Sequence, residues 1–169
     1  MRALVCRKWG PPADLTLEEV APGPLEPDQI RIDVRAAGVS FASSLVIAGK
    51  YQRKPPFPFT PGTEITGIVA ETGRAVSRFR PGERVMAAID WGGLAEQAVS
   101  REVNTFALPA NVDFAAGVAL PISYSTSAAA LIWPHLLDVT PGKTLLVHGA
   151  AGGGGRAARA GGLARGGTP

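Results

Sequence analysis

The residues with the plainest chemical meaning lie near the end of the chain. Thr144-Leu145-Leu146-Val147-His148 is an almost wholly apolar run, and Gly149-Ala150-Ala151-Gly152-Gly153-Gly154-Gly155 follows it directly. Read as Ala150-x-Gly152-x-x-Gly155, the second run has the spacing of a dinucleotide-binding turn, with alanine in place of the first glycine. Small residues let backbone N–H groups approach a diphosphate, and the helix that follows aims its positive dipole end at the same charges. Gly152, Gly153 and Gly155 are the residues that would face the diphosphate. A lone glycine pattern also reads as a plain flexible linker; its place after a strand-like run favours the first reading. His148 closes that run and reads as structural.

Tyr51 is the second candidate, in a segment that continues Lys54-Pro55-Pro56. A phenol can donate a hydrogen bond to a carbonyl as negative charge develops there. Packing on the two prolines is the structural alternative. Ser40 precedes a helical stretch, and its hydroxyl suits an N-cap. Cys6 is the sole cysteine, so neither an internal disulfide nor a cysteine zinc site can form. It reads as a small buried strand residue in a chain of the reducing cytosol.

The elements that must position these groups change character along the chain. Met1–Trp9, Leu15–Val20, Gln29–Ala37, Glu64–Glu71, Val85–Ile89, Leu94–Val99 and Thr105–Leu108 read as short strands. In Gln29–Ala37, Ile30, Ile32 and Val34 alternate with Arg31, Asp33 and Arg35, as in an antiparallel strand with one wet face. Gly49 should end the helix that Ser40 starts, and Pro81-Gly82 presets a type II turn. Together these elements predict a mainly β fold, a small barrel or sandwich. Past residue 112 the pattern shifts: Asp113 caps a helix over Phe114–Ala119, Pro121–Trp133 reads as a second helix, and Thr144–His148 as a strand buried on both faces of a parallel sheet. The helix after the glycine run is expected to be poor. Eighteen of the twenty-one residues from Gly149 onward are Gly, Ala or Arg, and each interior glycine costs a helix about 1 kcal/mol relative to alanine.

Composition narrows the function classes. The 46% hydrophobic fraction supports a packed core, and 18% charged residues are too few for a disordered chain. The net charge of +3 sits in the tail: Arg156, Arg159 and Arg165 account for it, and the remainder is balanced. No basic stripe interleaved with aromatics points to nucleic acid. No apolar stretch reaches the roughly 18 residues of a membrane span, and no signal-peptide pattern opens the chain.

A set of motifs, in order and with consistent spacing, resembles one family. They are Ala36-Ala37-Gly38-Val39-Ser40-Phe41, Gly49-Lys50-Tyr51-Gln52, Pro58-Phe59-x-Pro61-Gly62-x-Glu64, Phe79-x-Pro81-Gly82-Glu83-Arg84-Val85, Gly92-Gly93-Leu94-Ala95-Glu96, Leu120-Pro121-Ile122-x-Tyr124-x-Thr126 and the glycine run. Over residues 1 to about 155 the chain resembles the zinc-free, NADPH-dependent quinone oxidoreductases of the medium-chain dehydrogenase/reductase superfamily. The resemblance implies a GroES-like β-barrel catalytic domain over 1–118, the first α–β unit of a Rossmann-type NADPH-binding domain over 119–155, and a Gly/Ala/Arg-rich tail over 156–169, disordered or a frayed helix.

It further implies hydride transfer from NADPH to a quinone or activated alkene, with Tyr51 as proton donor. Ser40 and Thr126 match positions near the nicotinamide; helix capping and an ordinary helix hydroxyl are their alternatives. Glu64 matches a family acid suited equally to buried ion pairing, and Asp90, Trp91 and Gly92 edge either the substrate cleft or a surface turn. Zinc-dependent relatives carry cysteine where Ser40 stands and histidine where Thr63 stands, so no metal site is expected. The family has aspartate at Ser43 and valine at Gly154, and nothing in it matches 156–169. The expectation is therefore a chain cut short by a frameshift or early stop, inactive alone and monomeric, whereas full-length relatives form homodimers. The same residues fit an enoyl-thioester or alkenal reductase, and a non-catalytic fragment.

Overall fold

The computed structural model describes residues 1–168. The chain divides into two compact units, Met1–Val118 and a second from Ala119 onward.

The first unit is built from β1 (Arg2–Val5), β2 (Thr16–Glu19), β3 (Gln29–Ala37), β4 (Glu64–Thr72), β5 (Arg84–Ala88), β6 (Gln97–Arg101) and β7 (Thr105–Ala107). β1 and β2 form an antiparallel pair with Leu4 opposite Leu17. The other five make an antiparallel sheet in the order β6-β3-β4-β5-β7. Its two edge strands, β6 and β7, are joined by only Glu102–Asn104, one turn of 3₁₀ helix. Three residues span about 10 Å at most. The edges must therefore meet, and the sheet curls on itself. Thr105 Oγ1 seals the junction, donating to Arg101 O at 2.9 Å and lying 3.0 Å from Ser100 Oγ. Ile30, Ile32, Ile65, Val69, Phe79, Val85, Ala87 and Ala98 fill the interior.

The period-two pattern of β3 places Ile30 and Ile32 in the core, as the sequence requires, but Arg31 is not on a wet face. It is only 9% exposed. Its Nε meets Glu71 at 3.1 Å, and its Nη2 donates to Gly23 O at 2.7 Å. The proline-rich loop 21–27 covers that face, and the guanidinium is buried because it is paired.

Helix α1 (Phe41–Ile47) begins at Ser40, and Gly49 follows its end with φ of +68°. Helix α2 (Phe114–Gly117) begins at Asp113, whose carboxylate accepts from Ala116 N at 2.8 Å. Thr66 on β4 donates to Phe114 O at 2.7 Å, tying α2 to the barrel.

In the second unit a π-type turn (Leu120–Tyr124) leads into α3 (Ser125–Ile132), and α4 spans Gly153–Ala164. Leu131, Val139 and Ala157 are its buried apolar residues. One expectation is corrected here. Thr144–His148 is not a strand buried on both faces: Leu145 and Val147 are half-buried, Leu146 is 79% exposed, and a single parallel bridge joins Thr144 to Thr168. No neighbouring strand among the described residues offers it a ladder. In the Gly/Ala/Arg-rich stretch, α4 continues to Ala164. Gly161 and Gly162 are packing sites. A Cβ at Gly161 would stand 2.9 Å from a Leu131 methyl, and one at Gly162 2.8 Å from a Leu145 methyl.

One helical run, Phe114–Ile132, is long and apolar enough by length and composition to cross a membrane. Nine of its nineteen residues are alanine or serine and only five are Val, Leu or Ile, so it does not stand out as an apolar stretch in the sequence.

Candidate functional site

In the second unit the glycine run forms a turn that closes on the start of α4. Gly149 takes φ of +66°, and its carbonyl accepts from Gly152 N at 3.1 Å. Gly152 is the N-cap of α4, and the first helical bond runs from Arg156 N to Gly152 O at 2.9 Å. The amides of Gly153, Gly154 and Gly155 thus belong to the first turn, which has no intrahelical acceptor for them. No acidic side chain occupies that turn. Gly155 is where glycine is required: a Cβ there would collide with Gly149 O and Ala150 Cα. The turn folds onto the helix only because that side chain is missing.

Helix α3 holds the turn from behind. Ser127, buried, donates its hydroxyl to Gly154 O at 3.0 Å, and Ser123 lies where a Cβ on Gly153 would approach its Oγ to 3.1 Å. Thr126, the residue singled out from the sequence, is exposed on α3. The side-chain bond to the glycine turn comes from its neighbour Ser127. A sequence without coordinates gives no reason to prefer one hydroxyl of Ser125-Thr126-Ser127 over the next; helical phase decides it.

In the first unit Ser40 caps α1. Its Oγ accepts from Ser43 N at 3.3 Å, and Ser40 N donates to Ser43 Oγ at 3.4 Å, a reciprocal capping box. Ser43 is buried and fills the N3 role with a hydroxyl. Ser40 itself is exposed, flanked by the exposed Val39 and Phe41.

Tyr51 is half-buried, and among the described residues nothing holds its hydroxyl by a hydrogen bond. The segment it opens passes beside the Asp90-Trp91-Gly92 turn. Arg53 pairs with Asp90, and Gly92 N donates to Thr60 O at 2.7 Å. A cavity of about 410 Å³ opens at that turn, with Thr60, Ile89, Asp90, Trp91 and Gly92 among its walls; Tyr51 and Ser40 do not line it. Glu64 is buried at the start of β4 and lies against Gly38, where any Cβ would strike its carboxylate. His148 is exposed before the glycine turn.

Ser40 and Thr63 offer hydroxyls where a metal would need thiolate and imidazole. Among the described residues no group of three His, Cys, Asp or Glu side chains is placed to hold a metal. Cys6 is 2% exposed, its thiol 3.2 Å from Lys8 O, and burial pushes its pKa up.

Known proteins match over most of the chain. The alcohol dehydrogenase GroES-like domain matches residues 26–112. Quinone oxidoreductase-like protein 2 of Rattus norvegicus is 42% identical over 151 residues, covering 89% of this chain and 42% of that protein. Quinone oxidoreductase of the same organism is 41% identical over 170 residues, covering 96% of this chain and 51% of its own length. Among solved structures, the quinone oxidoreductase from Thermus thermophilus, described also in its complex with NADPH, superposes with a TM-score of 0.83 at 30% identity; 99% of this chain covers 51% of that one. The chain thus spans about half the length of the relatives it matches. With the domain match falling on the curled sheet, the chain belongs to the alcohol dehydrogenase GroES-like family, and the relatives it matches at 41–42% identity are named quinone oxidoreductases or quinone oxidoreductase-like proteins.

Proposed function

We propose that this chain carries two working parts of an NADPH-dependent reductase of quinones or activated alkenes: a substrate-side phenol in the first unit and a diphosphate grip in the second. The observation that carries the reading is the turn closed by Gly155, which leaves three first-turn amides without intrahelical acceptors and without a competing carboxylate. The free amides of Gly153 and Gly155 would hold the cofactor diphosphate, supported by the dipole of α4, while Gly152, whose own N–H is given to Gly149 O, would bring its backbone close to the same phosphates. Bound NADPH would supply a hydride to the substrate. Tyr51 would donate a hydrogen bond, then a proton, to the substrate oxygen that gains charge. The hydroxyls of Ser40 and Thr126 would orient the carboxamide or ribose. The reading needs no zinc, since the phenol takes over carbonyl polarisation.

The chain on its own is expected to bind NADPH weakly. The run that presents the turn, Thr144–His148, is held by one bridge instead of a ladder, so the amides are poorly fixed before binding. Calorimetric titration should therefore show no micromolar affinity. Amide NMR at millimolar NADPH should show shifts centred on Gly152, Gly153 and Gly155. Shifts confined to other residues would overturn the diphosphate assignment, and micromolar binding would overturn the expected weakness.

A further inference from the structure

Residues 51–58 form a strap between two fixed points of the first unit. At its start, Lys50 N donates to Leu45 O at 2.8 Å. At its end, Phe59 and Cys6 exchange backbone hydrogen bonds of 2.7 and 3.1 Å. Between these points no backbone hydrogen bond ties the strap to the rest of the chain among the described residues. Pro55, Pro56 and Pro58 have no N–H to give. The strap is held by side chains alone. The Phe57 ring sits 4.4 Å from that of Trp9, Pro55 is buried, and the Arg53 guanidinium pairs with the Asp90 carboxylate.

We infer that the Arg53–Asp90 pair is a latch that keeps this strap against the Asp90-Trp91-Gly92 turn, and that breaking it frees the strap to swing between its two anchors. The pair is the one charged tie, among the described residues, on a segment lacking a hydrogen-bonded backbone, and it joins the strap to a cavity wall. Its members are 67% and 58% exposed, so water and salt reach it. An exposed pair shifts such an equilibrium only a few-fold, which suits a segment that must open often without unfolding its host. That the latch also sets the position of Tyr51 rests on the role proposed above for that phenol; the latch itself does not.

Limited trypsin digestion of the whole chain tests it, with neither cofactor nor substrate present. The bonds after Lys50 and Arg53 lie in reach, while Lys54 precedes a proline and resists cleavage. In dilute salt Asp90→Asn should be nicked about two- to fivefold faster than wild type at these two bonds. At about 1 M salt, where the screening length falls to roughly 3 Å, wild type should approach the variant. The charge swap Arg53→Asp with Asp90→Arg keeps the reporter bond after Lys50 and should restore slow cleavage. Cleavage after Arg101, on β6, should be unchanged throughout and serves as the folding control. Equal strap cleavage of wild type and Asp90→Asn in dilute salt overturns the latch, whatever NADPH titration shows.

Discussion

A methyl group placed on Gly154 would meet nothing within 4 Å, whereas on Gly155 it would collide with the backbone of Gly149 and Ala150. Adjacent glycines of one helical turn should thus respond with opposite sign. Gly154→Ala relieves the unfolded chain of conformational freedom and should stabilise the second unit by about 0.5–1 kcal/mol. Gly155→Ala forces the turn off the helix and should cost about 1–3 kcal/mol. Urea unfolding followed by circular dichroism measures both; equal effects would show that the turn is not packed as described. The glycine turn was legible in the sequence because only spacing and residue size matter there. The buried Ser127 was not, because its importance depends on which hydroxyl of α3 the helix turns toward Gly154.

Among the elements, those whose signals are local were read well. Asp113 and Ser40 cap the helices predicted for them, and the seven strands fall where alternation and turn residues place them. Two errors have a shared cause. Arg31 looked solvated and Thr144–His148 looked doubly buried, since period and hydropathy say nothing of what lies opposite. A loop covers the first, and the second lacks neighbouring strands among the described residues. The β1–β2 pair offers a test at this scale. Arg7 donates to the Glu18 carboxylate at 2.9 and 2.6 Å, and Thr16 Oγ1 at 2.6 Å. These bonds, Arg7's first, hold the Glu18 pKa down at about 2. The folded value lies below the unfolded one, so the contribution is complete above pH 4.5 and fades as pH drops through about 2. Side-chain carboxyl NMR should find Glu18 still ionised at about pH 3, with its midpoint moving up toward 4.5 in Arg7→Ala. A wild-type midpoint near 4.5 would mean the pair does not persist in solution.

For the molecule as a whole, the charge distribution and the fold argue together. Removing three tail arginines leaves acids and bases equal in number. The features with distinct local geometry are the strap, the curled sheet and the glycine turn. The two edge strands of the sheet meet at the Glu102–Asn104 link, where Thr105 ties them. The second unit has a bare run in Thr144–His148, and its apolar Leu146 and Leu163 face solvent. The two units should differ accordingly in how readily they open.

The single thiol supplies a way to see that difference without altering the protein. Cys6 is sealed beneath the far anchor of the strap and is reluctant to ionise. An alkylating reagent must wait until Phe59 lets go, so the native molecule carries its own stopwatch for one hinge of the barrel. Slow, single-site labelling that accelerates only near the denaturation midpoint would date that release to global opening. Rapid labelling in dilute buffer would show instead that the anchor lifts on its own.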